Sequence, residues 1–248
     1  MNTLFNFERF GLLIKRFFFE RGSHELLFWG ITVLVFTLIG NFQTQIIFLM
    51  ITGSFFASKF FSEIHSKTQG VNYFMIPATQ LEKLLSAIII SVVYFFILFI
   101  ITYVIGNLMH TYLNNLLADY FMAFSHKTLQ WSLFQSNFSG ITPLKIVFIT
   151  FVISQAIFLL GSIYFKRTVF LKTLFSVFVM LFALTNIEVI LYAIFVEGRL
   201  ELSVYIPAEI LMKNLNVKFY EVILNVLLYS SAPFLWVVSY FRLTEKEV

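Results

Sequence analysis

The apolar positions of this chain gather into six long runs, at 26–42, 45–61, 84–108, 144–165, 169–196 and 219–241. About 20 apolar residues of helix cross the hydrocarbon core of a bilayer, and a helix satisfies its own backbone groups there. The pattern therefore predicts six membrane-spanning helices. The first two runs are short, and a few polar residues around Gln43, Thr44 and Gln45 are all that separate them, which predicts a tight hairpin. Lys166 and Arg167 divide the fourth run from the fifth with almost no loop, predicting a second hairpin. Ahead of the first run, Phe7, Phe10, Ile14 and Phe17 recur at helical spacing while Arg9 and Arg16 fall off that stripe, with Lys15 beside them. That predicts an amphipathic helix over 4–20 lying in the membrane interface; the alternative is a helix packed on the protein's own core. Charges scattered through residues 1–24 do not suit a secretory leader.

Two further segments carry mixed patterns. In 109–143, aromatics recur throughout, and Leu113, Leu117, Tyr120 and Phe124 are helically spaced, which predicts a stretch on the outer membrane surface. Segment 197–218 mixes charges with the apolar run 200–210 and Pro207, too short to span, and reads as a re-entrant or interfacial hairpin. The expected fold is an all-α integral membrane protein: an interface helix, six transmembrane helices, and this hairpin between the fifth and sixth.

Composition agrees with the pattern. The chain is 59% hydrophobic and 12% charged, against about 25% charged in average soluble domains, and its mean hydropathy is +0.88. Of the 17 Lys and Arg residues, twelve fall on the side of the predicted spans that holds both termini and the 62–83 loop, and five on the other. Basic loops stay in the cytoplasm, so both termini and that loop are expected there, in a multi-pass protein of the cell (inner) membrane. The net charge of +4 sits at that face, and no basic run is long enough to predict a nucleic-acid partner.

Most chemistry is excluded by what is missing. There is no Cys, so thiolate catalysis and Cys metal sites are ruled out. No Gly is followed by Lys, so no Walker A loop exists to hold ATP. His24-Glu25 begins like the zinc-protease motif, but Phe28 stands where the second His belongs. The four histidines show no close ligand spacing, and His110, Asp119 and His126 read as polar residues of one outer loop rather than a metal site. Ser91, Ser154, Ser162 and Ser176 lack a GxSxG context and read as helix-packing residues. No catalytic residue, no metal and no bound cofactor are expected. Glu188, in the fifth run, is the clearest intramembrane acid; such a group is costly in lipid, so it is a candidate for a substrate path, against the plainer reading that it reaches the headgroups.

The 62–83 loop stands out between two apolar runs. Glu63 and Lys67 lead in, Gln69-Gly70 precede the patch Val71-Asn72-Tyr73-Phe74-Met75-Ile76, Pro77-Ala78-Thr79 follow, and Glu82-Lys83 open the third run. At this point the chain resembles the type-2 permeases of ATP-binding-cassette (ABC) exporters. About ten positions carry the residue-level likeness, and the interface helix, six spans and hairpin extend it as architecture; the long 109–143 loop departs from it. The resemblance implies a membrane subunit that encloses a translocation path as a dimer, with the first and fifth spans at the axis. It also implies a separate ABC ATPase subunit, binding ATP and Mg, that docks on Gln69, Gly70, Val71, Tyr73, Phe74, Met75, Pro77, Thr79, Glu82 and Lys83. Gly70 permits a sharp backbone bend, Pro77 turns Ile76 away from helix, and exposed Tyr73 and Met75 serve as anchors. The chain itself is then not an enzyme; its partners are the ATPase, a second copy or similar permease, and membrane lipid. The rivals are a regulatory or assembly subunit that docks an ATPase without transporting, and a lipid-modifying membrane enzyme.

Overall fold

The computed structural model describes residues 5–65, 70, 73, 75–120, 141–192 and 217–246. Among them every regular element is helical. Helix α1 spans Phe7–Leu38 and α2 Phe42–Phe60, followed by a 3-10 turn at Ser62–His65. Helix α3 runs unbroken through Gln80–Ile88, a π-helical stretch Ile89–Tyr94 and Phe95–Tyr120. Then come α4 (Ile141–Tyr164), α5 (Val169–Tyr192) and α6 (Val217–Thr244). Four stretches are long and apolar enough to cross a membrane, Gln80–Leu116, Lys145–Tyr164, Val169–Ile187 and Asn225–Thr244, with a shorter apolar helix at His24–Leu38. The protein is thus a multi-pass membrane protein. Residues 197–216 of the expected hairpin, and the 121–140 part of the long loop, lie outside the described residues, and residues 217 and 218 open α6.

Three expectations about boundaries are corrected. The predicted interface helix does not end before the first span: α1 is one helix of 32 residues, about 48 Å at 1.5 Å per residue. No Pro interrupts it, and its stripe turns inward rather than facing lipid throughout. Phe17 is buried, stacked on Phe60 at 6.0 Å and edge-on to Tyr94 at 6.3 Å, so this part of α1 packs on the protein's own core. The first hairpin turns at residues 39–41, not at Gln43–Gln45. Asn41 caps α2 by accepting from the Gln43 N–H at 3.1 Å, which places Gln45 in the first turn of α2, buried. Its amide donates to the Ile39 carbonyl at 2.9 Å and faces Asn107 at 3.4 Å. Finally, α3 does not stop near residue 108. With no Gly or Pro between Gly106 and Tyr120, the helical spacing of Leu113 and Leu117 simply continues the third helix to Tyr120 rather than forming a separate surface segment.

Packing follows the aromatics and the small residues. Trp29 and Phe36 of α1, Leu49 of α2, Phe95 and Phe99 of α3 and Phe151 of α4 form the central core. In lipid, helices gain little by hiding apolar surface from other apolar surface, and close approach does the holding. Gly53 of α2 sits so near α4 that a Cβ there would lie 2.7 Å from the Phe151 ring, while the neighbouring hydroxyls of Ser54 and Ser154 meet at 2.7 Å. The π turn of α3 falls where Ile90, Ser91 and Val92 are all buried. A second core of Phe61, Leu84, Ala87, Leu159, Ile163 and Leu243 ties together the ends of α2, α4 and α6 with the start of α3. That is the end of the bundle where the 62–83 loop is rooted. Helix α5 leaves most of its apolar surface uncovered, including Phe175, Phe178, Met180 and Phe182.

Candidate functional site

Pro77 and Thr79 dictate the local shape of the loop's second half. Proline fixes its own φ and biases the preceding residue away from helix, and residues 76–79 are non-helical. The Ala78 N–H donates to the Ile76 carbonyl at 2.7 Å, closing a tight turn around Pro77. Thr79 is extended and caps α3: its hydroxyl accepts from the Glu82 N–H at 3.3 Å, and Glu82 Oε2 accepts from the Thr79 N–H at 2.9 Å. This capping box was legible as the spacing Thr79-x-x-Glu82. The result is an exposed tip at 75–77. Met75 is 75% exposed and Pro77 is exposed.

Tyr73, expected to be exposed, is half-buried instead. Its ring is edge-on to Phe61 at 6.3 Å, and the Lys83 ammonium lies 5.0 Å above it. The reason is the second core: Phe61 at the end of α2 offers an aromatic edge and α3 brings a cation, so the phenol is worth more inside than out. Behind it lies a small cavity lined by Leu13, Phe17, Phe60, Tyr73, Lys83 and Ile90, so the loop is not packed solid against α1. Gly70 is buried. Glu82 and Lys83 are also buried, at 0% and 2% exposure, so they hold the loop from within rather than touch a docked partner. Gln69, Val71 and Phe74 lie outside the described residues.

Glu82 connects the loop's second half to the start of α1. A buried carboxylate is costly unless several donors hold it. Besides Thr79, the Asn6 N–H donates to Glu82 Oε1 at 2.7 Å and Arg9 Nη2 donates to the same oxygen at 3.0 Å. Charge-assisted hydrogen bonds of this kind are worth about 1.5–3 kcal/mol each. Asn6 also caps α1, accepting from the Glu8 N–H at 2.8 Å. The other two residues of the expected interface helix behave differently. Lys15 lies 5.8 Å over the Phe19 ring and Arg16 pairs with Glu20 at 2.6 Å, both on the helix's own surface.

The loop's first half is clasped from the opposite terminus. His65 Nε2 donates to the Ser162 carbonyl at 3.0 Å, which leaves Nδ1 as an acceptor facing the Lys246 ammonium at 3.5 Å; Lys246 also donates to the Ile163 carbonyl. Burial, then the Lys246 charge, then Lys166 push the His65 pKa below its ordinary 6.5 against the pull of the Ser162 bond. Burial, then Arg242 and Lys166, lower that of Lys246. Neither the Arg9–Glu82 tie nor this clasp is visible in the sequence, because their partners lie 73 and 181 residues apart.

The remaining candidates are held by local hydrogen bonds where the structure describes them. His110 is on α3, where Nδ1 donates to the Thr37 carbonyl at 2.7 Å and Nε2 accepts from Asn114 at 2.9 Å, so both ring nitrogens are engaged; His126 lies outside the described residues. Ser91, Ser162 and Ser176 donate to carbonyls of their own helices. No cluster of three His, Asp or Glu side chains occurs among the described residues. Glu188 falls on α5, but its side chain lies outside the described residues. No protein-family model, no curated protein and no solved structure matches the chain.

Proposed function

We propose that this chain is the permease subunit of an ATP-dependent ABC exporter, coupled to a separate ATPase through the 62–83 loop. On this reading α1 and α2 also cross the membrane, giving six spans with both termini and the loop in the cytoplasm of an inner membrane. Two copies, or this chain and a similar permease, enclose the path, and ATP and Mg bind only in the partner. The observation that carries the reading is the exposed 75–77 tip, rooted in buried structure at both ends: Thr79 and Glu82 on one side, His65 on the other. A surface connector would not need such anchoring. A soluble subunit gripping Met75 would push on five helices at once, because α1, α2, α3, α4 and α6 all meet at these roots.

The test uses Met75→Asp, because Met75 is exposed and its replacement leaves the core untouched, whereas Tyr73→Asp would also break the Phe61 and Lys83 contacts. The full chain is purified from its native membrane with whatever ATPase accompanies it, and ATP hydrolysis is measured on the complex. Wild type should bring down a hydrolase and Met75→Asp should lose it while inserting normally. If Met75→Asp keeps the hydrolase with wild-type turnover, the loop is not the docking point.

A further inference from the structure

The N-cap of α3 needs only Thr79, yet the carboxylate beside it is fully buried and shared with another helix. Glu82 Oε2 serves the capping box, while Oε1 takes the Asn6 N–H and the Arg9 guanidinium. Asn6 and Arg9 stand at the very start of α1, and Glu82 stands in the first turn of α3. Helix α1 is one unbroken helix, and Glu82 stands in the regular α-helical turns of α3 ahead of its π-helical stretch. Deeper along α1, Phe17 packs against Phe60 of α2 and Tyr94 of α3, giving a second point of support. We propose that Glu82 is the positioning residue that fuses the start of α1 to the loop and the start of α3, so that a displacement of the 75–77 tip reaches the first and third helices together.

The inference deepens the permease reading, in which that displacement comes from the ATPase, but the tie is a property of the chain alone. The geometry makes the division of labour specific. Without Oε1 the Thr79 cap survives and the loop moves α3 only. Without Thr79 the cap weakens while α1 stays attached to α3. A carboxylate that served merely as a cap would have no use for Asn6 and Arg9, and could keep its second oxygen in water at lower cost.

Amide hydrogen exchange on the full chain in phosphatidylethanolamine–phosphatidylglycerol nanodiscs reads the tie directly, because the Asn6 N–H is itself a donor to Glu82. Glu82→Gln should speed exchange in the peptide over residues 5–10 by about tenfold or more, a change corresponding to about 1.4 kcal/mol. Thr79→Ala should speed exchange only in the peptide over 76–83. Arg9→Gln should reproduce part of the Glu82→Gln effect and Arg9→Lys should restore protection, which covers the case where Glu82→Gln fails to fold. Unchanged exchange over 5–10 in both Glu82→Gln and Arg9→Gln overturns the proposal. In the copurified complex, Glu82→Gln should keep the hydrolase bound, whereas Met75→Asp releases it. If the exchange results hold but wild type brings down no hydrolase, the tie stands and the permease reading falls.

Discussion

Replacing Gly161 with alanine would place a methyl carbon 2.1 Å from the Thr173 hydroxyl oxygen, 2.8 Å from its methyl and 3.0 Å from its Cβ. Carbon–carbon contacts are comfortable at about 3.5–4.0 Å, so α4 and α5 must part by several tenths of an ångström or more. Rotating Thr173 does not help much, because its Cβ is already too near and its hydroxyl is held to the Val169 carbonyl at 2.8 Å. Overpacking of this kind costs about 1–3 kcal/mol, while alanine in a helix interior gains about 1 kcal/mol over glycine. The expected net loss is about 0–2 kcal/mol. Removing the obstruction should reverse the sign: in a Thr173→Ala background, Gly161→Ala should be neutral or stabilising. The coupling between the two sites should then fall in the range of about 0.5–3 kcal/mol found for residues in contact. Thermal melts of the four proteins in detergent, followed by intrinsic fluorescence, complete the cycle. Equal effects of Gly161→Ala in both backgrounds would refute the close approach of α4 and α5. The turn also matters beyond stability, since the next two carbonyls, of Ser162 and Ile163, hold His65 and Lys246.

Other outcomes follow from the polar groups. His65 is held below 6.5 in the folded chain, chiefly by burial and by Lys246, so between the folded value and 6.5 the unfolded chain binds more protons. Stability should therefore rise with pH through that window and be lost as pH falls from 6.5 toward the folded value. Melts over that range should show a slope that His65→Gln flattens. Gln155 is fully buried in α4, and neither of its amide atoms makes a hydrogen bond among the described residues. Gln155→Met keeps the length and removes the unsatisfied groups, so it should raise stability by about 1–3 kcal/mol, measured by the same melts.

Much of this protein could be read without coordinates, because the relevant physics is local. The length and apolarity of the 84–108, 144–165 and 169–196 runs dictate membrane helices wherever they sit in space, and residues 80–116, 145–164 and 169–187 are apolar spans in the structure. The break at Pro77 and the cap at Thr79 and Glu82 are likewise properties of neighbouring residues. What only tertiary structure decided is which polar residue meets which. Arg9 read as a charge for the lipid interface, but the crossing of α1 and α3 sends it to Glu82. Gln45 read as a residue of the turn, but Ile39 and Asn107 give its amide partners inside. Tyr73 read as exposed, but Phe61 and Lys83 make a place for its ring. In each case sequence reports the cost of burying a polar group, while the compensating partner arrives from a helix whose position no local pattern encodes.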